Sequence, residues 1–253
     1  MVRVVERVSS IFGAFDRQQP ELTLTECAAK TGLTTSSLYR LLTSLEEVRL
    51  VERNESKWRL GPRVVELAAL RLGQFELRRE AESHLLGLRD QFNAAVAFSV
   101  PDGSEMIYLD RLDSRAAYGV SARLGARAPI WAGGSGKAIL AAIRREELDN
   151  ALADSRWRRL TRGERERILG EVEEARERGF ATDNGEFFGG IGGVAVAIRS
   201  PSGDPVAALS VVVPRDGLSS DFVERVAESL RASASELEAT LRTSQLQHAG
   251  STK

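Results

Sequence analysis

The side chains best suited to specific chemistry fall in two short stretches. In residues 31–47, TGLTTSSLYRLLTSLEE, the residues Ser36, Tyr39, Arg40 and Thr43 recur at helical spacing on one face, with Thr35 and Ser37 at the start of the same helix. An arginine, a phenol and small hydroxyls are groups that hydrogen-bond to base edges and phosphates of a DNA duplex. In residues 132–137, AGGSGK, the glycines let a ligand approach the backbone, and free amides at a helix start attract a carboxylate.

The first stretch needs a frame. Leu38, Leu41, Leu42 and Leu45 form the opposite stripe of the helix, and Thr34 or Thr35 can cap its start. A shorter helix over Thr25–Lys30 precedes it, with Thr31-Gly32 as the break. Two helices joined by a glycine-containing turn make a helix-turn-helix, whose second helix enters the major groove. The alternative is an amphipathic helix whose polar face meets only water. The next residues favour the helix-turn-helix. LVERNESKWRL at residues 50–60 reads as strand, polar turn and strand, a wing that can lay Arg53, Lys57 and Arg59 along phosphates.

Other chemistry fails on spacing. GGSGKA lacks the glycine of a phosphate-binding loop five residues before Gly136, where Trp131 stands, and Ala138 follows Lys137 in place of Ser or Thr. Gly190 to Ala195 fits G-x-G-x-x-A, but a strand follows it and not a helix, which argues against a dinucleotide site. Asp183 and Glu186 resemble an acid/base pair, yet no histidine or metal site lies near them in sequence. Ser135 has no base to activate it. His84, His248 and Cys27 lie far apart, so no metal site and no cofactor is expected, and the chain is not expected to be an enzyme.

Composition sets outer bounds. The 253 residues carry 42% hydrophobic and 28% charged side chains and a formal net charge of −1. Residues 1–60 hold nine Lys or Arg against eight Asp or Glu, so DNA binding would rest on placed charges and on two copies acting together. This near-neutrality is the best argument for a rival reading, a small-molecule sensor or enzyme whose N-terminal domain only dimerises. The lone Cys27, on an apolar helix face, reads as a core residue in a reducing cytosol. With no apolar run of membrane-spanning length, a cytoplasmic protein is expected.

Along the chain, an amphipathic helix over residues 1–17 precedes the helix-turn-helix. Gly61-Pro62 marks a boundary, and helices follow over 63–75 and 76–92. From Ala94 the period becomes that of strands: AAVAFSV, MIYLDRL and YGVSARL, then FATDN, VAVAIRS and VAALSVVVP. Helices are expected over Ser135–Ile143, Arg144–Ala153, Arg162–Arg178 (stopped by Gly179) and Phe222–Leu241. The domains are a winged helix-turn-helix over 1–61, a linker helix over 62–77, an α/β effector domain over 78–245 and a disordered tail over 246–253.

TGLTTSSLYRLLTSLEEVRLVER, WRLGPRVVELA, IYLDRLDS, RLGARAPIWAGGSGKAILAA, ARERGFATDNGEF and AALSVVVP, in this order, resemble the IclR-type bacterial transcription regulators over nearly the whole chain. The resemblance implies a GAF-like effector-binding fold behind the winged domain, homodimers that often pair into tetramers, and double-stranded operators of approximate two-fold symmetry. It places effector contacts at Gly134, Ser135, Asp183, Ile191, Gly193, Ser210 and Val212. Most relatives carry cysteine at the position of Gly193, in an R-C-V-A context; here the run is GGIGGVAVA. Loss of that side chain and its neighbouring arginine suggests a pocket for a larger or flatter acid, such as an aromatic one. The function so implied is a ligand-responsive regulator, a repressor of catabolic genes, that senses a small carboxylate.

Overall fold

Capped helices set the frame of the first of two compact units, residues 1–75 and 76–253. The computed structural model describes residues 2–16, 18–73, 76–114, 124–185 and 189–250. In the first unit α1 spans Arg3–Ala14, β1 Glu21–Thr23, α2 Leu24–Thr31, α3 Thr35–Glu47, β2 Val51–Asn54, β3 Lys57–Leu60 and α4 Pro62–Gly73. Thr23 starts α2 with a capping box: its Oγ1 accepts from the Glu26 amide at 3.3 Å, and Glu26 Oε2 accepts from the Thr23 amide at 2.8 Å. Gly32 ends α2 in the left-handed region at φ 69°. Thr34 then caps α3, accepting from the Ser37 amide at 3.4 Å. The leucine stripe is buried as expected, with Leu38, Leu42 and Leu45 packed on Ile11, Leu22, Cys27, Val51 and Trp58. Burial pushes the Cys27 thiol pKa up, as befits a core residue.

The wing has one more strand than the sequence suggests. The sheet order is β1-β3-β2, with Leu22 opposite Trp58 and Arg53 opposite Trp58 on the other side. Three residues after Pro20 are too few for an alternating pattern, and β1 exists only because β3 offers a free edge.

In the second unit α5 spans Glu76–Phe92, β4 Ala95–Asp102, β5 Glu105–Leu112, β6 Arg127–Pro129, α6 Gly133–Ala142, α7 Leu148–Ala151, α8 Ser155–Arg159, α9 Arg162–Arg178, β7 Ala181–Asp183, β8 Ile191–Arg199, β9 Pro205–Pro214 and α10 Ser220–Gly250. The strands form one antiparallel sheet in the order β6-β5-β4-β9-β8-β7. Small residues Ala181, Ala195 and Ala208 share a buried cluster with Ile139, Leu140, Ile168 and Val172, so α6 and α9 sit close on the sheet. Helix α6 also passes tightly over the preceding loop: a Cβ at Gly136 would lie 1.9 Å from the Ile130 carbonyl oxygen, which only glycine allows.

Several expectations change. The helix expected over 144–153 is a short 3-10 turn followed by α7, and α8, capped by Asp154, follows it. Strand β8 starts at Ile191, so the glycine run forms the strand's own beginning. No proline or glycine stands between Ser220 and Ala249, and α10 runs on to Gly250. Residues 246–250, expected to be disordered, are therefore helical, and 251–253 lie outside the described residues. Helix α4 falls in the first unit, whose boundary lies after Phe75. The strand expected at YGVSARL, apart from Leu124, and the acid/base candidate Glu186 also lie outside the described residues.

Candidate functional site

On α3, Thr35, Ser36, Tyr39 and Arg40 are exposed and Ser37 is half-buried. Thr34 Oγ1 donates to Ser37 Oγ at 3.0 Å, so the first turn is held by hydroxyls at its own start. Thr43 differs from its neighbours: its Oγ1 is buried, without a hydrogen-bond partner among the described residues, and so faces the protein. Arg40 makes no ion pair among the described residues.

The wing divides its cations by face. Strand register puts Arg53 with Trp58 on the side turned to the core, and Lys57 with Arg59 on the outer side. The Arg53 guanidinium lies 5.8 Å from the Trp58 ring, and Tyr39 meets the same ring edge-on at 6.4 Å, which joins recognition helix and wing in one aromatic cluster. Arg59 is held across the strands by Glu52 at 2.6 Å and Glu21 at 3.2 Å, and Asn54 donates to Glu21 at 3.0 Å. Asn54 and Arg59 together hold the Glu21 carboxyl below the usual carboxylate range. Arg59, expected at a phosphate, thus has a structural task in tying β1, β2 and β3 together. Lys57, at the exposed start of β3, is the wing cation best placed for the backbone of a duplex.

The second unit contains a cavity enclosing about 50 Å³, and all of Gly134, Ser135, Asp183, Ile191, Gly193, Ser210 and Val212 line it. Its floor is the sheet itself. One cross-strand row runs Asp183, Gly193, Val212, Ala95, and the next runs Ala195, Ser210, Ala97, Arg111. The roof is the start of α6, whose N-cap Ala132 offers no side-chain hydrogen bond. Asp183 is buried, and its Oδ1 accepts from the Gly185 amide at 3.2 Å.

Two lining residues, Tyr108 and Arg111, escape a reading of the sequence. Alternation along β5 should send residues three apart to opposite faces. A β-bulge corrects this: Phe98 pairs with Asp110 but Ser99 pairs with Tyr108, so Leu109 is the extra residue. Arg78 of α5 staples the bulge, donating to the Leu109 carbonyl at 3.0 Å and pairing with Asp110 at 3.0 Å. The Arg111 side chain is 7% exposed and pairs with the exposed Asp113. Burial and the nearby Asp183 carboxylate push the Tyr108 phenol up, while Arg111 pulls it down.

Gly193 overturns the reason given for a larger ligand. A Cβ there would lie 2.7 Å from the Val211 carbonyl oxygen, so glycine answers a close approach of β8 to β9 and does not simply open space. Nor does the pocket lose its cation, because Arg111 brings one from β5.

A winged helix-turn-helix joined in one chain to a sheet domain with a polar-ended internal cavity defines a ligand-sensing type of DNA-binding regulator. The chain belongs to the IclR family: residues 69–239 match its bacterial transcriptional regulator C-terminal domain, and residues 4–55 match the IclR helix-turn-helix domain. It is 28% identical over 216 residues to the HTH-type transcriptional regulator XynR of Escherichia coli, covering 83% of this chain and 86% of that one. It is 25% identical to the HTH-type transcriptional repressor AllR of Salmonella typhimurium, covering 94% and 90% of the two chains. Among solved structures, an IclR homolog from Microbacterium hydrocarbonoxydans complexed with 4-hydroxybenzoate superposes with a TM-score of 0.79 at 27% identity, covering 94% and 99%. The chain is therefore a DNA-binding transcription regulator and not an enzyme. No helix among the described residues is long and apolar enough to cross a membrane.

Proposed function

We propose that this chain is a repressor of catabolic genes that binds a two-fold operator as a homodimer or homotetramer and is controlled by a small carboxylate effector. The observation that carries this reading is the convergence of the seven expected effector positions, with Arg111, on one cavity. The cavity is small and partly open, with apolar walls between polar ends, so a short acid and a flat aromatic acid are both candidates. The 4-hydroxybenzoate in the Microbacterium relative supports testing both sizes, and the repressor AllR supports the direction of control.

Thr35, Ser36, Ser37, Tyr39 and Arg40 read the groove in this proposal, while Arg53 and Lys57 steady the backbone. The coupling route starts at the bulge: effector contact with Arg111 bears on the segment that Arg78 holds, and α5 is the first helix after the winged unit. The test is a gel shift on DNA upstream of its own and neighbouring genes, repeated with pyruvate, benzoate and 4-hydroxybenzoate. Release of DNA by one acid is expected, and by linkage that acid must bind less tightly to the DNA complex. Operator binding that no small acid alters, or an acid that binds equally with and without DNA, would reject the ligand-responsive part.

A further inference from the structure

A second cavity lies at the far end of α6, away from the pocket that the helix start roofs. The last carbonyls of a helix have no partner within it, and cations favour that end. Two arginines from distant elements meet there. Arg176 of α9 donates through Nη1 to the Ile143 carbonyl at 3.0 Å and through Nη2 to the Leu140 carbonyl at 3.3 Å. Arg199, the last residue of β8, donates through Nη1 to the Ala142 carbonyl at 2.7 Å and to the Gly203 carbonyl at 2.9 Å. Both line a cavity of about 110 Å³, walled also by Ala138, Ala141, Ala175, Ala197 and Phe180.

These contacts do not exhaust the two guanidiniums, each of which carries five N–H groups. Arg176 Nε is buried and has no hydrogen-bond acceptor among the described residues. Its ion-pair partner Glu173 stands off at 3.6 Å and lies closer to Arg145, at 2.5 Å. Arg199 makes no ion pair among the described residues, and its Nε and Nη2 donate to nothing there. Glu238 is engaged with the Arg199 backbone amide at 2.8 Å instead. Capping of α6 explains the bonds to carbonyls. It leaves the Arg199 charge and the buried Arg176 donor unanswered.

We propose that this cavity binds a phosphate group, free or on a small metabolite, between Arg176 and Arg199. A phosphate monoester carries about −1.5 to −2 charges at neutral pH, which matches two guanidiniums. Its oxygens point in several directions, so it accepts from two forks set on different elements. A carboxylate brings one charge and two oxygens in one plane, enough for one fork only. The site is separate from the proposed effector pocket and does not depend on what that pocket binds.

Calorimetric titration of the full chain with inorganic phosphate, glycerol 3-phosphate and acetate, in a phosphate-free buffer, tests this. At least one of the two phosphates should bind about tenfold tighter than acetate, the value of a further hydrogen bond between charged groups. Arg199→Gln should weaken that binding about tenfold or more. Arg199→Lys keeps the charge without the fork and should fall between. Circular dichroism shows whether each variant folds, and should Arg199→Gln fail to, Arg199→Lys carries the comparison. Tighter binding of the ester identifies a phosphorylated metabolite as the source, and tighter binding of inorganic phosphate identifies the free ion. Acetate bound as tightly as both phosphates overturns the phosphate class. Binding unchanged in the folded Arg199 variants, or no binding of either phosphate, overturns the site. Each of these failures leaves the carboxylate effector standing.

Discussion

The winged unit and the effector unit build their sites in opposite ways. The surface proposed to read DNA is convex and local: Thr35 to Lys57 span a short run of chain, and one helix with one hairpin presents them. The proposed effector pocket is concave and assembled from Ala95, Arg111, Gly134, Asp183, Gly193 and Ser210, which lie on five strands and one helix. A convex site depends on which side chains leave the surface, so removing one costs mostly the contact itself. A concave site depends on strand register and close backbone approach, so a change beneath it can remove the whole pocket. This contrast separates binding mutants from folding mutants.

The largest effect is expected at Lys137. Its side chain is 2% exposed, on the helix that roofs the pocket, and its ammonium pairs with Glu171 of α9 at 2.5 Å and reaches the Thr182 carbonyl at 3.4 Å. Lys137→Met leaves Glu171 with only the half-exposed Arg167 of its own helix at 2.5 Å and replaces a buried ammonium, a loss on the order of 2–3 kcal/mol. Urea unfolding followed by circular dichroism checks it; an unchanged midpoint would show that the pair contributes nothing net.

Next comes Gly193. Gly193→Ala places a methyl against the Val211 carbonyl, and overpacking of this kind costs about 1–3 kcal/mol. Thermal unfolding should shift down, and effector binding should weaken because β8 and β9 form the pocket floor. A variant as stable as the parent, with intact ligand binding, would show that the strands part at no cost.

On the convex side, Arg40→Ala should weaken operator binding by about 1–3 kcal/mol and relax base preference, with no change in unfolding. Filter binding to the operator and to scrambled DNA separates the two effects. Equal losses on both DNAs would make Arg40 a phosphate contact.

The smallest effects distinguish the two outer cations of the wing. Lys57→Ala should lower the salt dependence of binding by about one unit of slope. Arg59→Ala should barely move that slope, because Arg59 is engaged with Glu52 and Glu21. A fall in slope for Arg59→Ala as large as for Lys57→Ala would return Arg59 to the phosphates.

Much of the fold arises from local signals. Thr23 with Glu26 and Thr161 with Glu164 are capping boxes four residues long, and Gly32 and Gly179 stop the helices that these boxes start. The stripe from Leu38 to Leu45 and the alternation through VAALSVVVP are likewise properties of a few neighbouring residues. Local chemistry of this kind is complete in the sequence, and so were the helix-turn-helix and the chain positions of the main strands, while the glycines expected as a loop before Ser135 form the first turn of α6.

Only the tertiary structure placed Arg111 in the pocket, because the bulge at Leu109 depends on how β4 pairs with β5 and on Arg78 from another helix. It turned Thr43 inward and engaged Arg59 through strands that meet only in the sheet. It also gave Gly193 its reason, a carbonyl of β9 pressed against it. Each of these rests on a contact between residues far apart in sequence. Periodicity carries no record of such contacts, since the same local pattern is compatible with several registers and only packing of the whole sheet selects one.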